Sequence, residues 1–295
     1  MDKMGKLSEG FKMSNLIDGK YVASILRAEI KKETAELLVT TGKKPNLTVI
    51  VVGRHPASLS YVRSKKKNAA EVGFESHTIE LPETTTEVEL LKQIERLNQD
   101  AHVNGILIQL PLPPHINEQA VIRQVAIEKD VDGFHPEQVG GLSIGLDTLE
   151  PCTPAGIIKL LTHYHIPVAG KNAVVIGRSN IVGKPIANML LKLDATVTIT
   201  HSRTANLADI TRKADILIVA IGKPSFLTED MVKEGAIIVD VGINRTAEGK
   251  LLGDVDYEQV AKKASYITPV PGGVGPMTIA MLLANTLKAF KKQSL

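Results

Sequence analysis

The chain has 295 residues, 43% hydrophobic and 23% charged, and its 35 Lys and Arg against 32 Asp and Glu give a formal net charge of +3. At roughly 100–200 residues per domain this length predicts two domains, and so small and scattered a positive excess excludes a nucleic-acid surface. No apolar run approaches the ~18 residues of a membrane span, and the single cysteine, Cys152, excludes an internal disulfide or a multi-cysteine metal site.

The N-terminal MDKMGKLSEGFKMSN mixes both charges and has no apolar stretch, so it reads as a loose extension ahead of Met13 and not as a signal peptide. A soluble, cytoplasmic chain is the expectation. A helix is predicted over 21–41, and the β-branched run LTVIVVG (47–53) then reads as a strand buried on both faces, as a parallel sheet requires. FESHTIEL (74–81) and GILIQLPL (105–112) are the next strands, with helices over 59–72, 87–98 and 117–127. The Gly- and Pro-dense patch 140–156, with PCTP at 151–154, reads as a domain boundary. A second series follows, with strands over 173–177, 196–202, 215–222, 236–242 and 265–270. Helices of about 8–12 residues fit the gaps, the spacing of right-handed βαβ crossovers. The last segment, PMTIAMLLANTLKAFKK, is a helix with a broad apolar stripe able to fold back on the first unit. No repeat and no low-complexity tract interrupts the pattern. The fold class is α/β: two α/β domains, the second a Rossmann-type mostly parallel sheet, with a cleft between them. The expected division is 1–148 plus 277–295, and 149–276.

AVVIGRSNIVGKPIANMLL is a strand, a glycine-bearing turn and a helix, the context in which backbone N–H groups and a helix N-terminus hold a phosphate. The spacing is Gly177-x-Ser179-x-x-x-Gly183, with Ser179 in place of the usual middle glycine. On its own this leaves a phosphate cradle and a turn built for geometry alone level. The following strand ends His201-Ser202-Arg203-Thr204, where an NAD-specific site usually carries Asp or Glu. A hydroxyl beside a guanidinium bonds and neutralises a 2′-phosphate, which favours NADP over NAD. Arg178 reads equally as a second phosphate contact or a solvated loop arginine. VAIGKP (219–224) and DVGIN (240–244) end strands on glycine, at the sheet edge where ligands sit.

In SLSYVRSKKKNAAEVG (58–73), at about 100° per residue, Leu59, Val62, Ala69 and Val72 form one apolar arc with Tyr61 at its edge. Of the three consecutive lysines, Lys67 points away, Lys66 borders the arc and Lys65 falls inside it, on the face of Tyr61. Periodicity leaves two accounts open: Lys65 snorkels to the surface, or it lines a pocket where desolvation supplies a neutral amine as general base. Gln109 interrupts an apolar strand near its C-terminal end, and Asp132 belongs to the turn of KDVDGFHP. Each alone suits an edge-strand side chain or turn chemistry; together they can converge on one crevice. TPVPGGVGPMTIAMLL (268–283) presents stiff backbone N–H groups before a helix, suited to a polar ligand edge and to an interdomain link.

These motifs, PASLSYVRSKKKNAAEVG, GILIQLPLP, KDVDGFHP, PCTPAGII, GRSNIVGKP, DVGIN and PVPGGVGPMT, taken in order from Leu16 to the C-terminus, closely resemble the bifunctional methylenetetrahydrofolate dehydrogenase/methenyltetrahydrofolate cyclohydrolase family. The resemblance implies NADP-dependent oxidation of methylene-tetrahydrofolate, then hydrolysis to formyl-tetrahydrofolate. It makes 1–148 plus 277–295 the folate-binding catalytic domain and 149–276 the NADP-binding one. It also makes Lys65 the catalytic lysine, with Tyr61 stacked near the pterin, Gln109 bonded to lysine or substrate and Asp132 holding the pterin ring. Gly177, Arg178, Ser179, Ser202 and Ile243 would contact NADP, with Arg203 on its phosphate. Pro271, Gly272, Gly273, Val274 and Gly275 would line the folate side. A homodimer is implied, with tetrahydrofolate derivatives as small-molecule partners and no metal, nucleic acid or membrane. A small-acid dehydrogenase on the same fold and a non-catalytic nucleotide sensor are the rival readings, and Lys65, Gln109 and Asp132 together speak against the second. His163 and His165 read as surface histidines.

Overall fold

Apolar strands bounded by glycine alternate with amphipathic helices through the chain. The computed structural model describes residues 15–246 and 248–294; the extension expected ahead of Met13 lies outside them. The first half runs β1 (Asn15–Leu16), α1 (Gly19–Thr41), β2 (Asn46–Val52), α2 (Pro56–Glu71), β3 (Glu75–Leu81), α3 (Glu87–Gln99), β4 (Gly105–Ile108), α4 (Glu118–Gln124) and α5 (Pro136–Ser143). The second runs α6 (Cys152–His163), β5 (Asn172–Ile176), α7 (Gly183–Lys192), β6 (Thr196–Thr200), α8 (Leu207–Thr211), β7 (Ile216–Val219) and β8 (Ile237–Asp240). It closes with β9 (Asn244–Arg245), β10 (Leu251–Leu252), α9 (Tyr257–Val260), β11 (Tyr266–Ile267) and α10 (Val274–Ser294).

Local chemistry sets the helix ends. Asp18 accepts the N–H of Tyr21 to open α1, and Gly42 closes it at a left-handed φ of 68°. Thr86 and Glu89 form a reciprocal capping box on α3, which buries Leu90, Ile94 and Leu97. On α2 the arc of Val62, Ala69 and Val72 is buried, Lys66 and Lys67 are exposed, and Lys65 is half-buried.

Two parallel sheets result, and β9 and β10 form a separate antiparallel pair. The smaller has the order β3-β2-β4, and its central strand is buried along its whole length, as its unbroken apolar run requires. The larger has the order β1-β11-β8-β7-β5-β6. Its topology reverses at β5, with β6 on one side and β7 on the other, which opens a crevice at the carboxyl ends of β5 and β7.

α10 lies between the two cores. Met277, Ala280, Leu283 and Leu287 pack into one cluster with α1, α6 and the larger sheet. Leu282 and Ala289 pack into another with Leu47, Val49 and Val51 of the smaller sheet.

Within the 140–156 patch α5 ends and α6 begins, with Pro151 at the N-cap and Pro154 in the first turn, where no intrahelical N–H bond is lost. Two sequence expectations are corrected. The helix expected over 117–127 stops at Gln124, followed by a 3-10 turn at Ile127–Lys129. The strand expected over 265–270 pairs only at Tyr266 and Ile267, since prolines at 269 and 271 lack the donors to continue it. β1, which no local pattern announces, joins the edge of the larger sheet beside β11.

The carboxyl edge of the larger sheet is fastened by two buried carboxylates. Asp254, fully buried, accepts the N–H groups of Ile221 and Gly222 at 2.8 and 2.9 Å and Asn244 Nδ2 at 2.9 Å. Asp240 accepts the N–H groups of Gly242, Asp254 and Val255 at 2.9–3.0 Å, and burial raises its pKa to about 6. Removing Asp254 takes the partner from three donors, on half-buried Ile221 and Asn244 and exposed Gly222, at ~1–3 kcal/mol for each one left unsatisfied away from water. Asp254→Ala is therefore expected to destabilise the fold by about 2–4 kcal/mol in equilibrium denaturation; a loss within experimental error would contradict this fastening.

Candidate active site

The site grows from one helix and two strand ends. The arc that buries Val62 and Ala69 turns Lys65 inward, and Lys65 Nζ donates to Gln109 Oε1 at 3.1 Å. Gln109 directly follows β4, its backbone N–H still bound to Ile50 O of β2 at 2.8 Å and its Nε2 donating to Leu110 O. Asp132 lies on a turn closed by Asp130, whose Oδ2 accepts the N–H of His135 at 2.7 Å. Gly133 there has φ 73°, and a Cβ on it would stand 2.5 Å from Leu149 O. Only glycine fits that close approach.

The electrostatics are governed by burial. Lys65 has its pKa lowered from 10.5, first by desolvation, with Asp132 and Cys152 pulling it back up. Asp132 has its pKa raised by desolvation, with Lys65 lowering it. An ion pair would move both values the other way, so for both partners the loss of water outweighs their attraction. Asp130, behind them, is raised to about 7 by burial, and burial pushes the Cys152 thiol well up. The arrangement presents an amine whose ammonium form is disfavoured by burial, oriented by an amide and flanked by a carboxyl group.

Tyr61, one turn before Lys65, faces a cleft of about 440 Å³ shared between the two units. Ser64 and Asn68 line it beside Tyr61 from α2, and Ile243, Arg245 and the 271–275 loop line it from the other side. Burial raises the Tyr61 pKa, with Arg245 opposing. The structure therefore brings Tyr61, Ile243, Pro271, Gly272, Gly273, Val274 and Gly275 together. Lys65, Gln109 and Asp132 form a contiguous group next to that cleft and are not part of its lining. The loop is braced by α1: the Lys20 N–H donates to Gly272 O at 3.0 Å, and a Cβ on Gly19 would fall 1.7 Å from Gly273 O.

The glycine turn after β5 stands at the topological switch. Gly177 has φ 123°, and a Cβ there would lie 2.3 Å from Ala220 O, while one on Gly183 would lie 2.4 Å from Gly177 O. Ser179 Oγ accepts the N–H groups of Val182 and Gly183 at 3.2 Å, so this side chain caps the turn. The Gly177 N–H donates to Thr200 O at 3.0 Å, which sets this turn beside the one bearing Ser202 and Arg203. Arg178, Ser202 and Arg203 are all exposed. A crowded backbone cradle, a helix N-terminus and free cationic side chains fit a dinucleotide diphosphate and an extra phosphate.

Sequence reasoning missed Arg27, Asn68, Asp240 and Arg245 in the cleft wall. Asn68 was within reach, three residues beyond Lys65 on the same face; Arg245 was not, because the β9–β10 hairpin that carries it has no local signal in the sequence. Among the described residues no helix is long and apolar enough to cross a membrane, and no group of three or more His, Cys, Asp or Glu is placed to hold a metal ion.

Comparison with known proteins agrees with this geometry. The family description tetrahydrofolate dehydrogenase/cyclohydrolase, catalytic domain, matches residues 17–132, and its NAD(P)-binding domain matches residues 151–294. The chain is 55% identical over 280 residues to the bifunctional protein FolD of Listeria innocua, covering 95% of this chain and 98% of that protein. It superposes with a TM-score of 0.93 on the bifunctional FolD methylenetetrahydrofolate dehydrogenase/cyclohydrolase of Campylobacter jejuni, at 52% identity over 95% and 99% of the two chains. It also superposes with a TM-score of 0.91 on the Trypanosoma brucei enzyme, solved with NADP cofactor and inhibitor, at 40% identity over 95% and 98% of the chains.

Proposed function

The chain belongs to the tetrahydrofolate dehydrogenase/cyclohydrolase family, and from that premise we propose how its own residues divide the work. It is a bifunctional enzyme that oxidises methylene-tetrahydrofolate with NADP and hydrolyses methenyl-tetrahydrofolate to formyl-tetrahydrofolate. Lys65 is the catalytic lysine of the hydrolysis. Tyr61 stacks on the pterin, Gln109 orients the lysine, and Asp132 holds the pterin ring. The observation that carries this reading is the bond from Lys65 Nζ to Gln109 Oε1 beside Asp132, one helical turn from a cleft-facing Tyr61.

The carbon to be oxidised stands between two nitrogens that delocalise the product cation, so the first step chiefly needs orientation. NADP, when bound, supplies the hydride acceptor. Gly177, Arg178, Ser179, Ser202, Arg203 and Ile243 would hold it, with Pro271 to Gly275 meeting the folate. Hydrolysis needs a water deprotonated next to a cation. An ammonium there would repel that cation, whereas the lowered pKa of Lys65 leaves an amine able to take the proton. Residues 1–148 with 277–295 make the folate domain and 149–276 the NADP domain. A cytoplasmic homodimer completes the reading, supported by the free edge of β6 with Ile199 exposed.

Lys65→Met is expected to lower hydrolysis by about 10²-fold or more, the worth of a positioned general base, with folate binding little changed. Hydrolysis by the unaltered enzyme should rise with pH about a midpoint below 10.5, because desolvation lowers the lysine pKa. A Lys65→Met variant with normal hydrolysis would refute the role. Arg203→Ala should raise the KM for NADP roughly tenfold, the scale of one charge-assisted phosphate contact, and leave folate constants alone; equal effects on both would count against a phosphate contact. Sedimentation equilibrium should return twice the chain mass, and a monomer would remove the dimer.

A further inference from the structure

The group around Lys65 is held from outside by a residue that neither the chemistry above nor the sequence motifs use. Asn285 of α10 is 5% exposed, and its Nδ2 donates to Val131 O at 2.9 Å and to Glu150 O at 2.8 Å. Val131 immediately precedes Asp132, and Glu150 stands two residues before Cys152. The Cys152 thiol donates to the same Val131 O at 3.2 Å, so that carbonyl carries two donors. The two segments also touch directly, since Gly133 leaves no room for a Cβ against the 149–151 backbone. One amide thus fastens the turn that carries Asp132 to the segment that enters α6 under Lys65.

Its place on α10 makes this more than a buried polar group finding partners. Leu282 and Ala289, three residues before and four after Asn285, pack on the smaller sheet with Leu47 and Val49. Leu283 and Leu287 pack on the other core. The helix spanning both cores therefore sets the height at which the Asn285 amide meets the turn. We propose that Asn285 is a positioning residue for hydrolysis, fixing where the Asp132 carboxyl stands relative to the Lys65 amine. This rests on the roles assigned above to Lys65 and Asp132.

The groups facing Lys65 are Gln109 from β4, Asp132 with Asp130 behind it on the turn, and Cys152 from α6. Of these, Asp132 first and Cys152 second hold the lysine pKa up. A turn released from Asn285 lets that carboxyl drift, and the pH at which hydrolysis switches on moves down.

The test compares Asn285→Leu, which keeps the branched shape and removes both donors, with Leu287→Ala on the other face of the same helix. For Asn285→Leu, hydrolytic kcat should fall at least about tenfold, since displacing a reacting group by ~1 Å can cost up to ~10²-fold. The rising limb of its pH profile should shift to lower pH, with the KM for NADP unchanged. Leu287→Ala should lower thermal stability and leave the profile in place. If Asn285→Leu does not fold, Asn285→Ser, which keeps one short donor, should show the same shift to a smaller extent. A profile for either Asn285 variant that superposes on wild type, or a matching shift in Leu287→Ala, overturns the proposal. Lys65→Met run alongside separates the two readings: if it retains hydrolysis, the role of Lys65 falls and this inference with it. If it abolishes hydrolysis while Asn285→Leu behaves as Leu287→Ala, the inference alone is wrong.

Discussion

An amine taken out of water and given one amide oxygen at 3.1 Å and one nearby carboxyl is the constraint around which the rest of the molecule is arranged. Burial disfavours the ammonium, and the carboxyl that could rescue it is itself disfavoured as an anion. The group is consequently not a tight salt bridge, which would lock the proton on nitrogen. It is an amine that holds its proton less tightly than an ordinary lysine, next to a cleft that admits a large planar substrate.

Keeping that amine in place falls to backbone contacts more than to side-chain pairs. Gln109 is set by a continuing strand bond to Ile50, and the Asp132 turn by Asp130, by the bare Gly133 and by Asn285. Opposite, Asp240 and Asp254 fasten the loops after β7 and β8, and α1 leans on the Gly272–Gly273 backbone. These are rigid elements on both sides of the cleft, the condition for catalysis that relies on orientation and not on strong bonding to substrate.

Much of this is legible in the sequence. The apolar runs at 47–53 and 173–177 allow only buried parallel strands, and a 100° count alone puts Lys65 on the face of Val62 and Ala69. The glycines at 177 and 183 announce a tight turn, and the fold adds that each is crowded by another backbone. What escapes a reading of the sequence depends on contacts between distant parts of the chain. β1 pairs with β11 across nearly the whole length of the chain, and Asn285 meets carbonyls 154 and 135 residues away. Neither leaves a local periodicity to find. That 151–154 opens a helix also stays hidden, because prolines start a helix as readily as they interrupt one.

Burial outweighs the pull of Asp132 and lowers the Lys65 pKa. The direct measurement is the titration of the Lys65 side chain by NMR in lysine-labelled enzyme, alone and with Asp132→Asn. The account predicts a midpoint below 10.5 in the unaltered protein and a lower one when the carboxyl is neutralised. A midpoint at or above the ordinary lysine value, or an upward move in Asp132→Asn, would contradict it.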